Sequence, residues 1–313
     1  MTKKHQNIIL VCGVILLFGC IPFILSPYYV TLVIRALILA ILAMSVNFLL
    51  GYLGLASVGH SAFFGVSAYA VAIISRHTGG LAWTAIALGL LTSVLVGALF
   101  GFLVVRTKDI FFLVTMLAFS QLLYGLAYGW KSVTGGDDGL PGLARPEILP
   151  GFRLDDTVHY YFFVVGIFLL LMAGVWLLVN SPFTLTLKGI RDSESRMKAL
   201  GYRVWLYKHL AFVISALIGG LSGVLNAYFD GCPSPRDFSV IRSSTALLMV
   251  ILGSPGTLAG PVIGSFIIVF LEDFISGIME RWVLVLGAIY VFVVLAFPDG
   301  LLKALRKHKP YQE

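Results

Sequence analysis

Charge is scarce in this sequence. Asp, Glu, Lys and Arg make up 12% of its 313 residues, against roughly 25% in a soluble domain. That shortage excludes a solvated globule. With 59% hydrophobic residues and a mean hydropathy of +0.96, the chain reads as an all-α, polytopic helical bundle in a bilayer. Cysteine is scarce as well. Cys12, Cys20 and Cys232 have no ligand spacing, which leaves them packing roles and no metal. No Walker A pattern, G-x-S-x-G or H-E-x-x-H occurs, and the glycine-rich stretches lack the Lys-Ser/Thr end of a phosphate loop. No catalytic residue, metal or cofactor is expected. The net charge of +7 is not read as a nucleic-acid signal, because basic residues gather on the cytoplasmic side of membrane proteins.

What is present is a series of long apolar runs. They lie at residues 8–25, 30–50, 61–75, 83–105, 110–130, 160–179, 209–229, 244–253 continuing into 261–276, and 282–297. They predict about nine spans of an inner-membrane bundle, given ~20 residues per crossing helix, in one domain over residues 1–313. The N-terminus has the basic start and apolar stretch of a signal peptide. No small-x-small site follows cleanly and more spans come at once, so it is read as a retained first span. With both termini cytoplasmic, fourteen Lys/Arg and five acids fall inside, against eight and ten outside. The inner face is then +9 and the outer face −2, the sign that the positive-inside rule asks for. Residues 181–208 become a cytoplasmic loop and residues 131–158 an extracytoplasmic one. The stretch GGDDGLPGLARPEILPG at the centre of the latter excludes a continuous helix. It is either a connector or a docking or lid surface for an extracytoplasmic partner.

Two apolar segments are interrupted by glycine. The first carries Gly51, Gly54, Gly59 and Gly65, and the second Gly253, Gly256, Gly260 and Gly264. Both are expected to enter from the outer side, break and return, as a same-sense, parallel repeat. Such paired interruptions point to a transport pathway, because unwound backbone cannot face lipid. The candidate pathway residues are Asn47, Gly51, Gly54, Gly59, His60, Gly253, Gly256 and Gly260. The plainer reading of each glycine is close helix packing, and of His60 a satisfied structural group. Asn47 and Gln121 are expected to bond across helices, and Glu272 and Asp273 to sit near the outer boundary.

The block 181–208, SPFTLTLKGIRDSESRMKALGYRVWLYK, carries six Lys/Arg against two acids. Residues 187–200 can form one helix. Leu187, Ile190, Met197 and Leu200 share one side, and Arg191, Glu194 and Lys198 mark another, with Glu194 and Lys198 paired at i,i+4. Gly201 is a good stop. Such a helix attracts anionic lipid or a soluble partner.

The sequence resembles the LivM-type permease subunit of branched-chain amino acid ABC transporters. Four stretches carry the resemblance: NFLLGYLGLASVGHSAFFGVSAY at 47–69, TGGDDGLPGL at 134–143, residues 181–228 beginning SPFTLTLKGIRDSESRMKALG, and LGSPGTLAGPVIGS at 252–265. The resemblance implies a permease of an ABC importer rather than an enzyme. Its partners would be a second, homologous permease, two ABC ATPase subunits that hydrolyse the ATP, and an extracytoplasmic substrate-binding protein. The family's coupling segment corresponds to residues 191–201, with Arg191, Glu194, Lys198, Ala199 and Gly201 as candidate ATPase-coupling residues. The sequence departs from the family pattern at Ser254, where a glycine is usual, at Pro255, and at Arg196 and Met197, where an alanine pair is usual. Related permeases carry urea, amides or aromatic acids. An ion-coupled secondary transporter is the alternative. It needs mid-span carboxylates or a sodium cage, and few intramembrane acids are present.

Overall fold

The computed structural model describes residues 18–19, 21–77, 82–107, 109–149, 152–278 and isolated positions as far as 291. Its helices are α1 (Pro27–Leu53), α2 (Ser61–His77), α3 (Ala82–Val104), α4 (Asp109–Gly129), the short α5 (Lys131–Thr134), α6 (Thr157–Val179), α7 (Pro182–Asp192), α8 (Glu194–Ala199), α9 (Val204–Asp230), α10 (Val240–Gly253) and α11 (Gly260–Ile278). A two-stranded antiparallel hairpin, β1 (Glu147–Leu149) and β2 (Phe152–Arg153), interrupts the loop before α6. Six of the helices (α1, α3, α4, α6, α9 and α11) are long and apolar enough to cross a membrane. At 17 and 14 residues, α2 and α10 are shorter. The expected spans at 8–25 and 282–297 lie largely outside the described residues.

The bundle is arranged around α1. Pro at its first position and an extended Ser26 start it. Its sequence has no polar face, so it must be covered all round. Its most apolar window is 94% buried, against 22% for α3 and for α6. Helix α9 runs antiparallel beside it, tied by Ser222 Oγ donating to Ile38 O and Ser215 Oγ donating to Ser45 O, both at 2.7 Å. Helix α3 meets α9 along a buried stripe of Gly89, Ser93, Gly97 and Gly101, one residue per turn. A Cβ on Gly97 would lie 2.4 Å from the Ala216 Cβ, and Ser93 Oγ reaches Ala216 O at 2.8 Å. Small residues are needed there because lipid supplies no hydrophobic drive between helices, so backbones must approach closely. The opposite face of α3 exposes Leu95, Leu99 and Leu103.

The two ends of the bundle differ. At the end holding the α1 N-terminus, the loop after α4 and the loop after α9 fold together. Leu140 N donates to Pro233 O and Leu143 N to Gly231 O, at 2.9 and 3.0 Å. Arg76 joins them by donating to Pro141 O, and Tyr28 donates to Asp273 at the end of α11. The glycine- and proline-rich loop is thus built from one helical turn, a 3₁₀ turn at Gly136–Asp138 and the hairpin. Helices α7 and α8 lie at the other end, under the C-terminus of α1.

The single helix expected over residues 187–200 is two helices. Ser193 is extended (φ −165°), and its hydroxyl accepts from Arg196 N at 3.4 Å. A serine cap starts a new helix where the continuous pattern suggested none. Leu187 and Ile190 are buried as expected, but Leu200 is exposed, because the bend turns it away from them. Gln121 is exposed on α4 and makes no bond across helices among the described residues.

Candidate translocation and coupling site

Both glycine-rich interruptions are breaks in helical structure. The first occupies residues 54–60 and the second residues 254–259. Gly54 ends α1 in the left-handed conformation (φ 78°), with Gly54 N donating to Leu50 O and Leu55 N to Leu49 O. That is the helix-stop geometry for which glycine is preferred. Gly256 takes the same conformation (φ 77°). Ser254, standing where the family pattern has glycine, is left at φ 94°, a backbone region costly for a side-chain-bearing residue.

Asn47, on α1 ahead of the first break, ties that helix to the second break. Its Nδ2 donates to Thr257 O and its Oδ1 accepts from Gly256 N, each at 2.9 Å. The side-chain amide thus replaces two bonds that unwound backbone would otherwise leave open. Gly51 makes this approach possible, since a Cβ there would lie 2.3 Å from Gly256 N. Gly253 and Gly260 close the second break on itself, with a Gly253 Cβ falling 1.8 Å from Gly260 O. Gly59 lies against the backbone of Met116, at 2.2 Å on the same measure. Of the glycines singled out from the sequence, Gly51, Gly59, Gly253 and Gly260 are therefore packing positions, while Gly54 and Gly256 shape the backbone.

His60 is wholly buried. Its Nδ1 lies 2.8 Å from Ser57 Oγ and its Nε2 2.8 Å from Ser215 Oγ. Both ring nitrogens are satisfied, so it braces the first break against α9. Beside it, Ser61 Oγ lies 2.9 Å from Ser120 Oγ, Ser243 Oγ donates to Ser61 Oγ at 2.7 Å, and Ser61 N donates to Ser243 Oγ at 2.9 Å. This serine network was not singled out from the sequence. The only sequence trace of it is serine recurring in apolar segments, which shows no partner until the helices are packed.

Helix α7 touches the same place. Arg191 Nη1 donates to Gly51 O at 2.9 Å, one of the carbonyls that a helix C-terminus leaves without an intrahelical partner. A Cβ on Gly54 would lie 2.7 Å from Arg191 Cγ. Lys188 Nζ sits 5.6 Å from the Tyr52 ring centroid. Arg191, Gly51 and Gly256 are therefore in direct succession from α7 to the second break.

Glu194 is held by two lysines of the same chain. It accepts from Lys208 Nζ at 2.7 Å and pairs with Lys198 Nζ at 2.9 Å. Burial pushes its carboxyl up, but the hydrogen bonds from Lys208 and Lys198 outweigh burial and hold it at about 2. Lys208, with a side chain only 7% exposed, thereby pins α8 to the start of α9. Lys198, Ala199 and Gly201 are exposed, together with Ser195, Arg196 and Leu200. Among the described residues, no cluster of His, Cys, Asp or Glu has the makings of a metal site.

The family model described as "Branched-chain amino acid transport system / permease component" matches residues 28–294. The chain belongs to this family. It is 25% identical over 307 residues to the high-affinity branched-chain amino acid transport system permease protein LivM of Salmonella typhimurium, covering 91% of this chain and 72% of the relative. The LivM protein of Escherichia coli matches with the same identity and coverage. The autoinducer 2 import system permease protein LsrC of Klebsiella pneumoniae is 27% identical over 213 residues, 61% of this chain and 59% of the relative. No solved structure matches the chain. Membership makes the chain an ABC transporter permease component, with apolar helices consistent with membrane-spanning segments.

Proposed function

We infer that this permease forms, with a second homologous permease, the pathway of an ABC importer for branched-chain amino acids or similar small polar solutes. The succession Arg191–Gly51–Gly256 carries this reading, because it gives a cytoplasmic push somewhere to act. With α10 and α11 entering and returning as a pair, the chain makes an even number of passes through the inner membrane, given ~20 residues per span, with both termini, α7 and α8 in the cytoplasm. The loop at 131–158 faces outward, toward a substrate-binding protein. Two ATPase subunits sit on the cytoplasmic side, and one of them docks on the exposed surface of α8 and the turn after it, at Lys198, Ala199 and Gly201. The relatives' names, LivM above all, support the substrate class.

In this mechanism the ATPases move α8 together with the start of α9, since Glu194 and Lys208 lock the two, and α7 moves with them. Arg191 conveys the displacement to the C-terminus of α1, and Asn47 conveys it to residues 256–257. The two breaks are a same-sense pair. Helix α1 runs toward the cytoplasm, breaks, and α2 returns, and α10 and α11 repeat that path. Moving their junction switches the pathway between its two faces. The protein supplies the hinge and the partners supply the energy.

The test uses the complex, co-purified with its ATPases and second permease and reconstituted in proteoliposomes. Gly54→Leu and Gly256→Leu both force a side chain onto left-handed backbone. Each should abolish ATP-driven uptake while the complex still assembles. Normal uptake in both would contradict the hinge. Uptake that persists without ATP but collapses with the ion gradient would replace the ABC reading with a secondary transporter.

A further inference from the structure

Helix α8 is six residues long and buries none of them fully. Ser195, Arg196, Lys198 and Ala199 are exposed, and of the six only Glu194 and Met197 are half-buried. Three residues apart, these two share one side of the helix, yet they reach different neighbours. Glu194 accepts from Lys208 Nζ on α9 at 2.7 Å. Met197 lies against α7. The main chain is a weak link between α7 and α8. One extended residue, Ser193, separates them, and its two soft dihedrals let the helices swing unless side chains fix them.

The contact with α7 is a knob in a hole. A Cβ on Gly189 would lie 2.9 Å from Met197 Sδ, 3.3 Å from its Cε and 3.6 Å from its Cγ. The end of the methionine therefore fills the space that a side chain at 189 would take. Glycine inside a helix costs about 1 kcal/mol relative to alanine, and at Gly189, inside α7, it opens the hole. Methionine suits such a gap because its chain is unbranched and adaptable. Met197 also packs against the core cluster that includes Leu187 and Ile190 of α7. Alanine, the usual residue at 197 in the family pattern, has none of the three atoms that fill the hole. Arg196, the other departure from that alanine pair, is exposed, so of the two only Met197 is turned to α7. Two residues beyond Gly189, Arg191 donates to Gly51 O at 2.9 Å. The hole and the bond to the end of α1 thus lie within one turn of a single helix.

We propose that Met197, seated on Gly189, is the positioning residue that makes α7 follow α8 when an ATPase moves α8. The proposal rests on the transport reading above and names the joint that reading needs. Glu194 ties α8 to α9, and Met197 ties it to α7. Without the second tie, α8 and the start of α9 move while α7 stays behind. Arg191 then conveys nothing to Gly51, and ATP is spent without transport. The joint depends on filled volume and not on the chemistry of sulfur. A side chain of similar volume at 197 keeps it, and so does a methyl group on each side of the hole.

The test is solute transported per ATP hydrolysed, with a 14C-labelled amino-acid mixture as solute and the complete transporter complex in proteoliposomes. Met197→Ala should assemble, keep hydrolysing ATP, and lower the ratio at least five-fold. Met197→Leu should hold the ratio within about two-fold of the unaltered complex, as a volume-conserving exchange. Gly189→Ala combined with Met197→Ala should recover most of the loss, because each side then supplies part of the missing volume. Recovery in either of these variants supports the joint. An unchanged ratio in Met197→Ala overturns it, as does a loss that neither variant recovers. A Met197→Ala complex that does not assemble also overturns it, since the contact would then serve assembly and not coupling. A low ratio in Arg191→Met beside a normal one in Met197→Ala removes the joint and leaves the transport reading standing. Uptake by the unaltered complex that needs no ATP overturns the transport reading instead.

Discussion

Removing either partner of the Glu194–Lys208 pair should have unequal consequences. The Lys208 side chain is 7% exposed and that of Glu194 is 21% exposed. Glu194→Ala leaves the Lys208 ammonium buried without its acceptor among the described residues, and an orphaned buried charge costs about 3–5 kcal/mol. Lys208→Met leaves Glu194 beside Lys198 at 2.9 Å, where Lys198 is 60% exposed. That half-exposed pair survives, so the loss is about 1 kcal/mol. The double variant should recover most of the Glu194→Ala loss, because neither buried charge remains. The pH dependence follows from the same geometry. The Glu194 carboxyl is lowered to about 2 from its ordinary 4.5. Its contribution is therefore full above pH 4.5 and is lost as pH falls toward 2. Thermal unfolding of the purified complex in nanodiscs, at pH 7 and in steps below pH 5, measures both. Equal losses in the two single variants, or an unchanged acid slope in Glu194→Ala, would refute the latch.

The remaining expectations concern packing. Gly97→Ala places a Cβ 2.4 Å from that of Ala216 and should destabilise by about 1–3 kcal/mol through overpacking. Gly125→Ala, on the open face of α4 with nothing within 4 Å, should be neutral or slightly stabilising, and a parallel melt of the two variants checks the contrast. Asn47→Ala removes both bonds to residues 256–257, at about 1–3 kcal/mol for the polar groups left bare. Hydrogen exchange should then quicken at residues 254–260 before the rest of α11.

The fold class and the two breaks were legible in the sequence because each has a local cause. Gly54 stops α1 by its own conformation, and the apolar runs declare their helices. What was not legible depends on partners distant in sequence. Asn47 reads as a lone amide until Gly256 is beside it, 209 residues away. Arg191 and Glu194 read as surface charges for a soluble partner. Packing also gives each a partner within the chain, Arg191 the carbonyl of Gly51 and Glu194 a lysine on α9. Ser193 broke the expected helix because a hydroxyl cap competes with continuation, and the apolar periodicity is blind to that. The descent of the chain from Gly231, in the loops, to Phe238, beside Ser61 and Ser120 within the bundle, was hidden for a similar reason. Pro235, Asp237 and Ser239 are ordinary turn residues, and only the serines of α2 and α4 fix the depth at which the turn sits.

The central claim is that motion of α7 reaches the breaks through Arg191. The most direct measurement is solute transported per ATP hydrolysed in proteoliposomes holding the complete complex with Arg191→Met. Loss of the Gly51 bond should leave assembly and ATP hydrolysis in place and lower the ratio at least ten-fold. A ratio equal to that of the unaltered complex would show that the coupling runs elsewhere.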